Sequence, residues 1–75
     1  MTEQILELAA SALNITKEEA LANHKELPEI QAYYFWNASR GGRSMIINDA
    51  GEKLIAASAV RFEDHVKTFL SGRRN

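Results

Sequence analysis

Apolar residues recur at Ile5, Leu6, Ala9, Ala12 and Leu13, a spacing that follows the helical repeat and places them on one stripe. It predicts a first helix over about Glu3 to Leu13, with Thr2 as N-cap and Asn14 as its stop. Thr16-Lys17-Glu18-Glu19 is a capping-box pattern. The Thr16 oxygen can accept from the Glu19 N–H while the Glu19 carboxylate accepts from the Thr16 N–H, so a second helix starts at about Lys17. Ala20, Leu21 and His24 are its candidate inward positions, and Ile15 is a candidate hydrophobic staple against Ala20 or Leu21. Pro28 disfavours helical geometry at Leu27, so this helix is expected to end near Lys25.

After Pro28 the period shortens from helical to alternating. Three strands are predicted, over about Ile30 to Asn37, Ser44 to Asn48 and Lys53 to Ala57. Ser39-Arg40-Gly41-Gly42-Arg43 connects the first two, and Asn48-Asp49-Ala50-Gly51-Glu52 is a tight-turn signal with Gly51 in the left-handed region. A last helix over about Phe62 to Ser71 carries Phe62, Val66, Phe69 and Leu70 on one stripe and ends at Gly72. Glu63 and Asp64 in its first turn, and Arg73 and Arg74 past its end, suit the helix dipole, whereas Arg61 is a poor N-cap. The expected fold is α+β in one domain: two N-terminal helices, a three-stranded antiparallel β-meander and a C-terminal helix, in the order ααβββα, with the helices on one face of the sheet.

The first predicted strand changes that picture. Tyr33, Tyr34, Phe35 and Trp36 are four of the six aromatic residues of the chain. Alternation sends Tyr33 and Phe35 to one face and Tyr34 and Trp36 to the other, so both faces carry large apolar groups. With helices expected on one face only, the second face calls for a partner, either another protein or a second copy of the chain. The candidate binding residues are Tyr33, Tyr34, Trp36, Arg40 and Arg43.

Seventy-five residues bury a marginal core, about 60–65% of the unfolded surface. No cysteine is present, so neither a disulfide nor a thiolate metal ligand is available. Met1-Thr2-Glu3-Gln4 opens an amphipathic pattern without a basic signal-peptide region, and no apolar run approaches the roughly 18 residues that span a bilayer. A bacterial-type cytoplasmic protein with no membrane partner is the expectation. The net charge of −1 divides unevenly: residues 1–30 carry −4 and residues 31–75 carry +3. The two halves can attract one another, or the basic half can meet an anionic partner.

Catalytic signatures are missing from the sequence pattern. His24 and His65 have no metal-binding helix spacing, Ser39, Ser44 and Ser58 have no neighbouring His–acid arrangement, and Glu18-Glu19 and Glu63-Asp64 are explained by helix starts. The expectation is a non-enzyme without cofactor or metal. Arg40-Gly41-Gly42-Arg43 can cradle a phosphate, but no helix follows it, and a charged hairpin connection is the simpler reading. A single-stranded nucleic-acid binder would stack bases on exposed rings beside Arg40, Arg43, Arg73 and Arg74. The tail Gly72-Arg73-Arg74-Asn75 is expected to be frayed and solvated.

The aromatic strand, the glycine-containing connection, Ser44-Met45-Ile46-Ile47-Asn48-Asp49-Ala50-Gly51-Glu52-Lys53-Leu54 and the helix start Phe62-Glu63-Asp64-His65-Val66 resemble the YrhB-type bacterial immunity-protein family. The resemblance covers residues 32–70. It implies a small α+β protein that neutralises a toxin or behaves as a chaperone-like binder, and it carries over no catalytic residue. Trp36 at the end of the aromatic run, a short span from Tyr34 to Ile46 and the two N-terminal helices depart from the family pattern.

Overall fold

Thr2 lies extended, and its hydroxyl accepts from the Ile5 N–H at 3.1 Å, opening helix α1 (Glu3–Leu13). Asn14 closes it in the left-handed conformation at φ 56°. Helix α2 (Lys17–Ala22) starts at the predicted capping box, whose two reciprocal bonds are both 3.0 Å long. The structure, a computed structural model, describes residues 1–38, 42–57 and 59–74. The connection expected at Ser39, Arg40 and Gly41 therefore lies outside the described residues, as do Ser58 and Asn75.

The sheet has four strands, β1 (His24–Leu27), β2 (Ala32–Trp36), β3 (Ser44–Asn48) and β4 (Lys53–Ala56), antiparallel and in sequence order. A C-terminal helix α3 (Phe62–Leu70) follows. The α+β class stands, but the order is ααββββα rather than ααβββα. Helix α2 stops three residues before Lys25, and His24–Leu27 is a strand. The reason is tertiary: the Asn23 carbonyl accepts from the Trp36 N–H at 3.1 Å, and β2 offers its open edge from that point on. Pro28–Ile30 forms one 3-10 turn with Pro28 at its first position, and Gln31 at φ 53° reverses the chain into β2. The strand expected from Ile30 thus starts two residues later. Gly51 adopts φ 87° as predicted, and the Asn48 side-chain oxygen accepts from Ala50 and Glu52 N–H at 3.0 and 2.9 Å.

The sheet is covered on both faces, which overturns the single helical layer. Phe35, Met45 and Ile47 face α1 and α2 and join Ile5, Leu6, Ala9, Leu13 and Ala20 in one core. Ala32, Ile46 and Leu54 face α3 and join Leu27 and Phe69 in a second. The alternation read from Tyr33 to Trp36 is correct, but the second cover is this chain's own C-terminal helix. Leu21 and Leu70, both expected inward, are exposed, and His65 occupies the inward α3 position instead. Arg61 makes no side-chain cap, as its poor N-cap chemistry predicts. The tail is docked rather than frayed through Arg74: its guanidinium donates to the Phe69 carbonyl at 2.7 Å and stacks 3.8 Å from the Phe69 ring centroid. Among the described residues the ion pairs lie within each half of the chain, Lys17 with Glu3 and Glu7, and Arg74 with Glu52, so they do not join the two halves.

Candidate functional site

β2 and β3 run antiparallel with Trp36 opposite Ser44, and β1 sets Lys25 opposite Tyr34. All four side chains belong to the α3 face. Helix α3 begins with Phe62, whose ring meets Tyr34 edge-on at 4.8 Å between centroids. Tyr34 also packs on Trp36 at 5.6 Å and edge-on to His65 at 5.9 Å. This leaves an open pocket of about 460 Å³ at the Trp36 end of the sheet. Tyr34, Trp36, Phe62 and Val60 supply its apolar wall, Lys25 and Arg43 its cations, and Asn37, Gly42 and Ser44 the remainder.

Two of those polar groups are already used. The Asn37 amide donates to the Leu13 carbonyl at 3.0 Å, which ties the start of the β2–β3 connection to the end of α1. The Ser44 hydroxyl lies 3.2 Å from His65 Nδ1, and His65 Nε2 lies 2.8 Å from the Leu54 carbonyl. A carbonyl only accepts, so Nε2 carries the proton and Nδ1 accepts from Ser44. Hydroxyl and imidazole are therefore partners, although 21 residues separate them in sequence. The ring's far nitrogen meets a main-chain carbonyl rather than a carboxylate, and Ser44 and His65 are 5% and 1% exposed. The bonds pin α3 to β3 and β4.

Lys25 and Arg43 differ from these. Neither pairs with a carboxylate among the described residues. Lys25 Nζ sits 5.0 Å from the Phe62 ring centroid, a cation–π contact that leaves its charge uncompensated. Arg43 is exposed and borders two further depressions beside the pocket. Gly42 is sterically required here: a Cβ on it would lie 2.5 Å from the Asn37 carbonyl oxygen.

Of the candidate binding residues, the structure brings Tyr34, Trp36 and Arg43 to one pocket. Arg40 lies outside the described residues. Tyr33 points to the opposite face, where it lines a separate depression of about 250 Å³ with Glu26 and Asp49. Burial first, then the Asp49 and Glu26 carboxylates, push its phenol above the usual range. Sequence reasoning missed Lys25 and Phe62 as site residues. The sequence pattern puts Lys25 at a helix end and Phe62 on the apolar stripe of the last helix. Reading His24–Leu27 as a strand paired with β2 would have set Lys25 beside Tyr34.

Among the described residues no group of three or more His, Asp or Glu side chains is arranged to hold a metal ion. No described helix is long and apolar enough to cross a membrane. No family model matches this chain, and neither the curated proteins nor the solved structures give a match.

Proposed function

We propose that this chain is a non-catalytic protein-binding module that meets its partner at the Tyr34–Trp36–Phe62 pocket. One observation carries the reading: three half-buried aromatic rings line an open pocket beside two cations, Lys25 and Arg43, that no described carboxylate compensates. Aromatic rings beside Arg are the chemistry that concentrates binding energy at protein interfaces. The resemblance of residues 32–70 to YrhB-type immunity proteins gives the module an immunity-like or chaperone-like role in a bacterial cytoplasm. Self-association is the same proposal with a second copy as partner. Its first motive, an uncovered sheet face, is gone, because α3 lies on that face.

The test is a photo-crosslinking residue at Val60, on the pocket rim, in the cells that make the protein, with the same residue at the distant exposed Leu8 of α1 as control. The expected result is a protein adduct at Val60 that is absent at Leu8 and lost when Trp36→Ala is added. Light scattering on the same variants separates a second copy from a different partner. Identical adducts at Val60 and Leu8 sink the proposal.

A further inference from the structure

The pocket's free polar groups and its walls specify what it can hold, if it is a protein-binding pocket. We infer that its occupant is an acidic–aromatic peptide segment of the partner, one ring flanked by Asp or Glu. The ring lies against Trp36 and Tyr34, and the carboxylates meet Lys25 and Arg43.

Ser44 and Asn37 already hold His65 and the Leu13 carbonyl. What remains is Lys25 and Arg43, which only donate, and the Tyr34 hydroxyl, which donates or accepts. The Trp36 indole N–H, also a donor, has no protein acceptor among the described residues. A ligand that satisfies the two cations and the indole presents acceptors, and two cations call for negative charge. The walls are three rings and Val60, so the same ligand presents a flat apolar group. About 460 Å³ accommodates one large side chain with its flanking backbone.

The chain provides an internal precedent. Its own Phe62 is an aromatic residue followed by two acids, Glu63 and Asp64. That ring seats edge-on against Tyr34 at 4.8 Å and under the Lys25 ammonium at 5.0 Å. A partner ring against Trp36 would repeat the placement of the ring. Among the described residues Glu63 and Asp64 make no ion pair with Lys25 or Arg43, which leaves both cations to the partner's acids.

A nucleic-acid strand fits less well. Base edges offer donors as well as acceptors, and a strand needs a track of cations for successive phosphates. Arg74 is committed to the Phe69 ring and carbonyl, Lys17 is paired with Glu3 and Glu7, and the net charge is −1.

The experiment uses the full chain and the fluorescence of Trp36, its single tryptophan. Three blocked peptides without Trp or Tyr are titrated: Glu-Asp-Phe-Asp-Glu, its carboxamide analogue Gln-Asn-Phe-Asn-Gln, and Glu-Asp-Ala-Asp-Glu. Short oligothymidylate is the fourth probe. The expected result is saturable binding of the first peptide, weakened by salt, and at least about tenfold weaker binding of the second and third. K25E/R43E, two substitutions at exposed side chains, should weaken the first peptide by about tenfold and leave the melting temperature within a few degrees. K67E, on exposed α3 surface away from the pocket, is the charge control and should change binding little. Equal binding of the carboxamide peptide overturns the acidic part of the inference, and equal binding of the alanine peptide overturns the aromatic part. Tighter, salt-dependent binding of oligothymidylate replaces it with a nucleic-acid site. No response to any probe overturns it as well. If a Val60 adduct still forms in that case, the protein-binding reading survives and only the ligand chemistry falls.

Discussion

On one face of the sheet α1 and α2 lie over Phe35, Met45 and Ile47, and none of the three has any solvent exposure. On the other face nine-residue α3 lies alone over Ile46 and Leu54, and the Trp36 end stays open. The helices differ in reach. Helix α1 has 11 residues and α2 adds six, whereas α3 rises only about 13 Å. One face is therefore closed by aliphatic packing. The other is closed at its Phe69 end and left at its Phe62 end as a pocket with aromatic walls.

The rims differ in sign as well. Lys25 and Glu26 are neighbours on the edge strand β1, so alternation sends them to opposite faces. Lys25 joins Arg43 at the open pocket, and Glu26 joins Asp49 around Tyr33 on the face closed by α1 and α2. A two-residue alternation thus puts a cationic rim at the Trp36 pocket and an anionic rim at the Tyr33 depression, with Lys53 farther along the second face. This is the local reason that an acidic ligand belongs on the α3 face.

The largest expected effect breaks the closed face. Phe35→Ala removes a ring at the centre of the first core, which costs about 3–5 kcal/mol. A chain of this length has on the order of 4–11 kcal/mol in total, so the variant should be largely unfolded on warming by circular dichroism. A cooperative melt within a few degrees of the parent would show that the Phe35 ring is not what closes this face. Next comes the lock on the open face. His65→Ala leaves the Leu54 carbonyl and Ser44 hydroxyl without their partner and opens a void, at about 2–4 kcal/mol in urea unfolding. Ser44→Ala should cost less, about 1–2 kcal/mol, because it strands only Nδ1. Equal losses would mean that the Leu54 bond contributes nothing.

Trp36→Ala separates stability from binding. The ring is half-buried at the pocket, so about 1–2 kcal/mol is expected, well below the loss for its neighbour Phe35. Binding of the acidic–aromatic peptide, read by isothermal calorimetry in this tryptophan-free variant, should disappear. A Trp36→Ala loss as large as that of Phe35→Ala would mean that the pocket wall is core.

How far the sequence foretold all this depends on where each element gets its stability. The cap at Thr2, the stop at Asn14, the Thr16 box and the Asn48–Gly51 turn appear where side-chain chemistry predicts them, because each bonds its own backbone neighbours. His24-Lys25-Glu26-Leu27 has no such local signal. Only Leu27 is buried, and the segment is a strand because β2 presents an edge beside Asn23. Half of the candidate site followed from the aromatic run, since alternation alone places Tyr34 and Trp36 together. The other half, Lys25 and Phe62, comes from two elements whose docking no local pattern encodes.

The smallest expected effect tests the anionic rim. Burial and the Asp49 and Glu26 carboxylates raise the Tyr33 phenol above its ordinary value of 10.0, so the folded chain favours the neutral ring. The unfolded chain ionises first. The stability this contributes is therefore complete below pH 10.0 and is lost as pH rises through the higher folded value. Lys17 is raised above 10.5 by its bonds to Glu3 and Glu7 and sheds its contribution in an overlapping alkaline window. Both groups are on the α1/α2 side, so variants must separate them. Urea midpoints measured between pH 9 and 11 should fall in the parent and in Lys17→Met. They should fall less in Tyr33→Phe, which keeps the ring and removes the ionisable group. An unchanged slope in Tyr33→Phe would mean that neither burial nor the Asp49 and Glu26 carboxylates raise the Tyr33 phenol. The contrast in sign between the two rims would then rest on Lys25 and Arg43 alone.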